Sequence, residues 1–259
     1  MLTKIELSPD LRLFMVCDGR GNPFFQHDPF HREDQANSAV EYVIRHLHLA
    51  LAINLTALEN MDNEDMIAKT LVTTFLQLDD EMKQKNIQFG TTCNMVIVDQ
   101  LRHTLYHANL GDSRMLAVQQ DKIIFESKDH NVQDQDEVKR VIAAGGYIFR
   151  ETHIVVAPDH QNAIGLSRAF GDFKHKFNNG VYDPINGVLC AVPTVSILKY
   201  TPNTTLLLMS DAVFGCPSKM TSQQVVNTYL GIPSQYRRIR RCRCTKTLHA
   251  VLSCHKNYR

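Results

Sequence analysis

The chain contains no tryptophan, and its 28 basic and 27 acidic residues nearly cancel, leaving a formal charge of +1. That balance excludes a global electrostatic pull toward nucleic acid or an anionic membrane, so a charged partner must be sought at a local site. No stretch reaches the roughly 18 apolar residues of a membrane span. The N-terminal MLTKIELSPD carries charge and proline where a signal peptide needs an apolar run. A cytoplasmic or nucleocytoplasmic, reducing location is therefore expected, with no membrane partner. Cysteine supplies no framework either. Seven is an odd number, and Cys17, Cys93, Cys190 and Cys216 are scattered, mostly among apolar neighbours, as buried unbridged thiols would be. Cys242, Cys244 and Cys254 cluster beside His249 and His255, and a Cys-x-Cys…His pattern can bind zinc, but the spacing matches no standard zinc module. Internal repeats and low-complexity linkers are also missing.

What remains is an ordinary globular composition, 44% hydrophobic and 21% charged over 259 residues, enough for one large core or two small ones. Leu11 to Cys17 is an apolar run ending at Asp18-Gly19, which predicts a buried strand delivering a carboxylate at its end. From about Asn37 to Leu58 apolar residues recur at helical spacing, with Asn37 or Ser38 as cap. A second helix is predicted from about Asn63 to Lys85, with Met66, Ile67, Leu71, Phe75, Leu78 and Met82 on one stripe. After Gly90 four short β-prone segments (94–98, 104–108, 115–118, 122–125) read as an antiparallel meander. Gln133 to Ala144 returns to helical spacing and stops at Gly145-Gly146. Strands follow at 154–157, 194–198 and 205–209, and a helix at 222–230. This order, without regular alternation, predicts an α+β fold in which helices cover an antiparallel sheet system.

The segment 232–259 breaks the pattern, because Arg237, Arg238, Arg240, Arg241 and Arg243 stand together with no apolar period. It reads as a basic tail outside a domain spanning 1–231. A solvated tail, a tail for nucleic acid or a membrane surface, and a terminus that has replaced the end of the fold all remain open.

Three aspartates close apolar runs: Asp18 in VCDGRG, Asp112 in NLGDSR and Asp211 in LLLMSDAVF. Any one alone reads as a turn residue bonding its own backbone. The recurrence suggests sheet ends converging on a hard cation, which takes oxygen ligands. SKDHN leads into a helix holding Glu137 and Arg140, spaced as an ordinary surface pair. LSRAFGD places Arg168 among small residues, either in a structural ion pair or in contact with substrate.

In order, these strings resemble the metal-dependent Ser/Thr protein phosphatases of type 2C, the PPM family. VCDGRGN resembles the family's DGHGG element, GTTCNMVIV with YHANLGDSR its GSTA and NxGDSR elements, and KDHN…DEVKRVIAAGG its DHKP…E…RI…AGG element. AIGLSRAFGD resembles LAVSRAFGD, VPTVSI the P-x-V strand, and LLLMSDAVF the LILASDGLWD strand, so the likeness runs from about Leu11 to Leu230. It implies an αββα sandwich of two antiparallel sheets, a phosphoprotein substrate and a monomer, with nucleic acid not expected. It also implies Mg2+ or Mn2+, two ions and a looser third, activating a water that attacks phosphorus. By the same resemblance Asp18, the Gly19 carbonyl, Asp112 and Asp211 are the metal ligands, while Arg168 is a candidate substrate contact on its sequence context alone.

The chain also departs from the pattern. Arg20 holds the general-acid position, where the family has histidine, and an always-protonated guanidinium is a poor proton donor. The family's first strand, with its phosphate-gripping Arg and metal-binding acid, has no recognisable counterpart upstream of Asp18, and nothing after Leu230 resembles the final DN motif. Fewer anionic ligands imply weaker metal binding. A weak or impaired phosphatase is therefore expected, the alternative being an inactive pseudophosphatase that uses the fold as a binding module.

Overall fold

A computed structural model describes residues 2–19, 32–58, 61–87, 89–149, 153–155, 163–214, 220–231, 240–241 and 248–253. The chain opens with a hairpin of β1 (Leu2–Ser8) and β2 (Leu11–Val16). Beside β2 lie β3 (Cys93–Asp99), β4 (Thr104–Leu110) and β12 (Thr194–Lys199), giving a five-stranded antiparallel sheet in the order β1-β2-β3-β4-β12. The second sheet, in the order β14-β15-β13-β5-β6, holds β5 (Arg114–Gln119), β6 (Lys122–Glu126), β13 (Thr204–Met209), β14 (Arg240–Arg241) and β15 (Leu248–Ser253). The two face each other across Phe14, Val16, Val96, Val98, Met115, Ala117, Leu206 and Leu208.

Helices cover both outer faces. α1 (Arg32–Thr56) and α2 (Glu64–Gln84) bury the stripes Val40, Val43, Leu47, Leu51, Leu55 and Ile67, Leu71, Phe75, Leu78, Met82 against Leu13, Met15 and Ile97 of the first sheet. α4 (Ser222–Leu230) lays Val226 and Tyr229 on Leu116, Val118 and Leu207 of the second. It is started by a capping box of Thr221 and Gln224. This is the αββα sandwich expected of an α+β chain. A satellite core forms where α3 (Gln135–Ala143) meets β9 (Ala163–Ile164), Leu166, Val188 and Leu189. β7 (Tyr147–Phe149) and β8 (His153–Val155) complete a small sheet with β9, and β10 (Phe177–Asn178) pairs with β11 (Val181–Tyr182) in a separate hairpin. α3 ends as Gly145-Gly146 suggests: Gly145 takes φ +86, and Gly146 N–H donates to the Val141 carbonyl.

The structure differs from the sequence reading in four places. α1 begins at Arg32, so Asn37 and Ser38 lie inside the helix instead of capping it. The four strands after Gly90 do not form one meander. β4 pairs with β3 and β12, while β5 pairs with β6 and β13, because the turn at Gly111 (φ +114) carries the chain from one sheet to the other. A strand does precede β2, since Ile5 and Leu7 alternate with polar neighbours and pack against the α1/α2 core. Part of the segment expected to lie outside the fold is strand: residues 250–253 of β15 pair antiparallel with 205–208 of β13. The sequence there, LHAVLS, is free of the arginines that dominate the preceding stretch.

Candidate functional site

Strand register places the three strand-end aspartates at one end of the sandwich. Asp18 follows β2, whose Val16 is opposite Asn94, and Cys93 is opposite Leu110, after which the chain turns through Asp112. Beyond that turn Arg114 is opposite Met209, and Asp211 follows in a short 3-10 turn, Asp211–Val213. Asp18 and Asp112 are half-buried, while Asp211 is exposed.

Buried polar contacts tie these ends together across the sheets. Asp18 N–H donates to the Thr92 hydroxyl at 3.1 Å, and that hydroxyl lies 2.8 Å from the hydroxyl of Ser113. Gly19 bridges to Thr91. Asn94 Nδ2 donates to the Ser113 carbonyl at 3.0 Å and to Asn109 Oδ1 at 2.9 Å. His130 holds the Asp112 turn from the other side. Its Nδ1 accepts the Gly111 N–H at 3.1 Å, so the ring proton sits on Nε2, 2.8 Å from the Thr194 hydroxyl. Burial, with the Arg168 charge next in size, pushes His130 down to about 3. It is a neutral strut and not an acid–base group. These partners stand in the GTTC and KDHN strings, but their pairing with the Asp18 and Asp112 segments is long-range and unreadable from spacing.

Beside Asp211, Arg114 grips Asp129 with two parallel bonds of 3.0 and 2.8 Å and reaches Glu126 at 2.8 Å. The guanidinium stacks 4.0 Å from the Phe214 ring. Burial pushes the Asp129 carboxyl up against the opposing pull of Arg114, and the Asp211 charge adds to the rise. A cleft of about 530 Å³ lined by Arg114, Glu126, Asp129 and Asp134 opens here.

Glu137 and Arg140 are not an ordinary surface pair. Glu137 is 3% exposed and accepts from Arg168 Nη2 at 2.5 Å, Arg140 Nη2 at 3.0 Å and the Ser167 hydroxyl at 2.5 Å. Arg168 also donates from Nη1 to the Val192 carbonyl. Its guanidinium is thus engaged within the protein from all three nitrogens, which is the structural ion pair of the two readings its sequence context allows. Burial pushes the Glu137 carboxyl up, but the two guanidinium groups and Ser167 outweigh it and hold it well below the usual carboxylate range. Arg20, expected at the general-acid position, lies outside the described residues, as do the side chains of Cys242, Cys244, His249, Cys254 and His255.

The donors gathered here suit Mg2+ or Mn2+ in kind, since both take oxygen ligands. In number they fall short: among the described residues, no three Asp, Glu, His or Cys side chains stand close enough together to hold a metal ion.

Comparison with known proteins gives this end of the sandwich its context. The sequence model described as protein phosphatase 2C matches residues 32–241. "Probable protein phosphatase 2C 5" of Paramecium tetraurelia is 29% identical over 231 residues, 87% of this chain and 71% of that one. Protein phosphatase 2C homolog 3 of Schizosaccharomyces pombe is 30% identical over 161 residues, 60% of this chain and 36% of the other. Two solved structures share the fold at a TM-score of 0.62. One is a phosphatase from a pathogenic strain of Toxoplasma gondii, 21% identical and covering 86% of this chain and 74% of that one. The other is a C. elegans sex-determining protein, 17% identical and covering 85% of this chain and 47% of that one. With a family match across most of its length and the two-sheet architecture to go with it, the chain belongs to the protein phosphatase 2C family of protein Ser/Thr phosphatases.

Proposed function

We propose that this chain hydrolyses phosphoserine and phosphothreonine esters of proteins weakly, in a reaction dependent on Mg2+ or Mn2+. The observation that carries the reading is the arrival of Asp18, Asp112 and Asp211 at one end of both sheets. When bound, the ion would lower the pKa of water so that a hydroxide nucleophile is available for phosphorus near neutral pH. The family resemblance assigns its binding to Asp18, the Gly19 carbonyl, Asp112 and Asp211; these carboxylates share one end of the sandwich without forming a close group, so binding would have to draw them together and its affinity is expected to be low. The unit that acts is the two-sheet sandwich, with 248–253 of β15 included in its second sheet, working as a monomer on phosphoproteins without nucleic acid or membrane.

The test is phosphopeptide hydrolysis by the full chain across an Mn2+ titration. Turnover is expected to be slow, to need millimolar-range metal, and to vanish in Asp211→Asn, which removes an anionic ligand. Turnover without divalent metal, or unchanged by Asp211→Asn, overturns the reading. A folded chain that neither binds Mn2+ nor turns over is a binding module instead.

A further inference from the structure

Thr92 precedes β3, the strand lying between β2 and β4, and it is 2% exposed. Its backbone N–H donates to the Asp18 carbonyl at 3.0 Å. Its hydroxyl accepts the Asp18 N–H at 3.1 Å and shares a hydrogen with the Ser113 hydroxyl at 2.8 Å. One side chain therefore touches the residue carrying the first carboxylate and the neighbour of the second. Its methyl group is seated just as closely, since a Cβ on Gly111 would come within 2.6 Å of Thr92 Cγ2. Strand pairing cannot provide this link, because β2 and β4 are not adjacent in the sheet.

We propose that Thr92 is a positioning residue that locks the end of β2 and the 111–113 turn into one unit, so that its hydroxyl sets the spacing of Asp18 and Asp112. The consequence for turnover rests on the phosphatase reading, whereas the coupling of the two segments does not.

The experiment compares Thr92→Val, which keeps the shape but loses both hydroxyl bonds, with Thr92→Ser, which keeps the hydroxyl. In the full chain, amide hydrogen exchange is expected to rise about tenfold or more at Asp18 and Ser113 in Thr92→Val, as buried bonds worth about that factor are lost. Exchange in α2 and β13 should stay unchanged, and Thr92→Ser should restore protection. Unchanged exchange at both segments overturns the proposal. So does a Thr92→Ser chain loosened as much as Thr92→Val, because the hydroxyl would then be unable to hold the two segments without the methyl group. If Thr92→Val does not fold, Ser113→Ala severs the link to the turn alone. It should raise exchange at 111–113 while Asp18 stays protected, and no rise there overturns the proposal. In turnover, Thr92→Val should lower kcat about ten- to a hundredfold, as loss of supports behind a metal ligand does. The phosphopeptide KM should hold and Thr92→Ser should recover the rate. If the unmodified chain shows no Mn2+ binding and no turnover, the phosphatase reading fails, and the exchange measurement still decides the coupling.

Discussion

Glu137 holds a charge almost sealed from water, and two guanidinium groups depend on it. Glu137→Gln would leave Arg140 and Arg168 uncompensated in a partly buried site, so a loss of about 3 kcal/mol or more in urea unfolding at pH 7 is expected. Its pKa in the folded state lies below the unfolded value, so the unfolded chain takes up the proton first. The stability it provides is full above the ordinary carboxylate range and is lost as pH falls through and below it. Two buried histidines add a slope at milder pH. Burial pushes His107 and His130 down to about 3 from an ordinary 6.5. Both contribute fully above 6.5 and lose that contribution between 6.5 and 3, amounting to about 2 kcal/mol each by pH 5. Urea midpoints at pH 7 and pH 5 measure this, and His107→Leu is expected to remove roughly half of the slope. None of these environments was legible in the sequence. Glu137 and Arg140 show only helical spacing, and what buries the carboxylate is Arg168, 31 residues further on.

At the scale of elements the sequence spoke clearly wherever one face is apolar. α2, β12 and α4 match their predicted bounds closely because periodicity records burial directly. It failed where pairing depends on which sheet a strand joins, as at the Gly111 crossover, since β4 and β5 carry similar apolar runs. The tie between α2 and the segment after β9 was equally hidden. Lys176 and Asp79, 0% and 1% exposed, lie 2.5 Å apart, and Asp79 also accepts the Gly171 N–H at 2.8 Å. Burial pushes the Asp79 carboxyl up and the Lys176 ammonium down, each partner opposing the other's shift. Lys176→Met strands a buried carboxylate whose second oxygen has no partner among the described residues, and should cost about 3–5 kcal/mol. The double variant Asp79→Leu/Lys176→Met should cost clearly less, because no charge is left unpaired. Calorimetric melting of the three chains checks this. A double variant as unstable as Lys176→Met would mean that packing, not charge, holds the two elements together.

For the whole molecule, the decisive question is how the second sheet ends. β13 carries Leu206, Leu207 and Leu208, all 1% exposed or less, and runs between β5 and β15. On one side its backbone is satisfied by Arg114–Gln119. On the other, 205–208 pair with 250–253, so β15 converts what would be a sheet edge into an interior strand. The arginine-rich stretch before it offers no apolar face, so its composition points to a tail and masks the short strand that follows. If β15 closes the sheet, ending the chain after Gly231 exposes a row of unpaired N–H and C=O groups along an apolar strand, a template for pairing with another copy. The shortened chain is expected to begin aggregating at a lower temperature than the full one and to elute partly as soluble oligomers. Light scattering during a thermal ramp and size-exclusion chromatography measure both. A β-breaking substitution, Val251→Pro, separates pairing from simple loss of mass and positive charge, since proline is poorly tolerated within a strand, here opposite Leu207, while every arginine is kept. It should reproduce the aggregation of the shortened chain. If both variants remain as monodisperse as the full chain, β15 contributes nothing to closing the sheet, and the domain that matters for stability ends at α4.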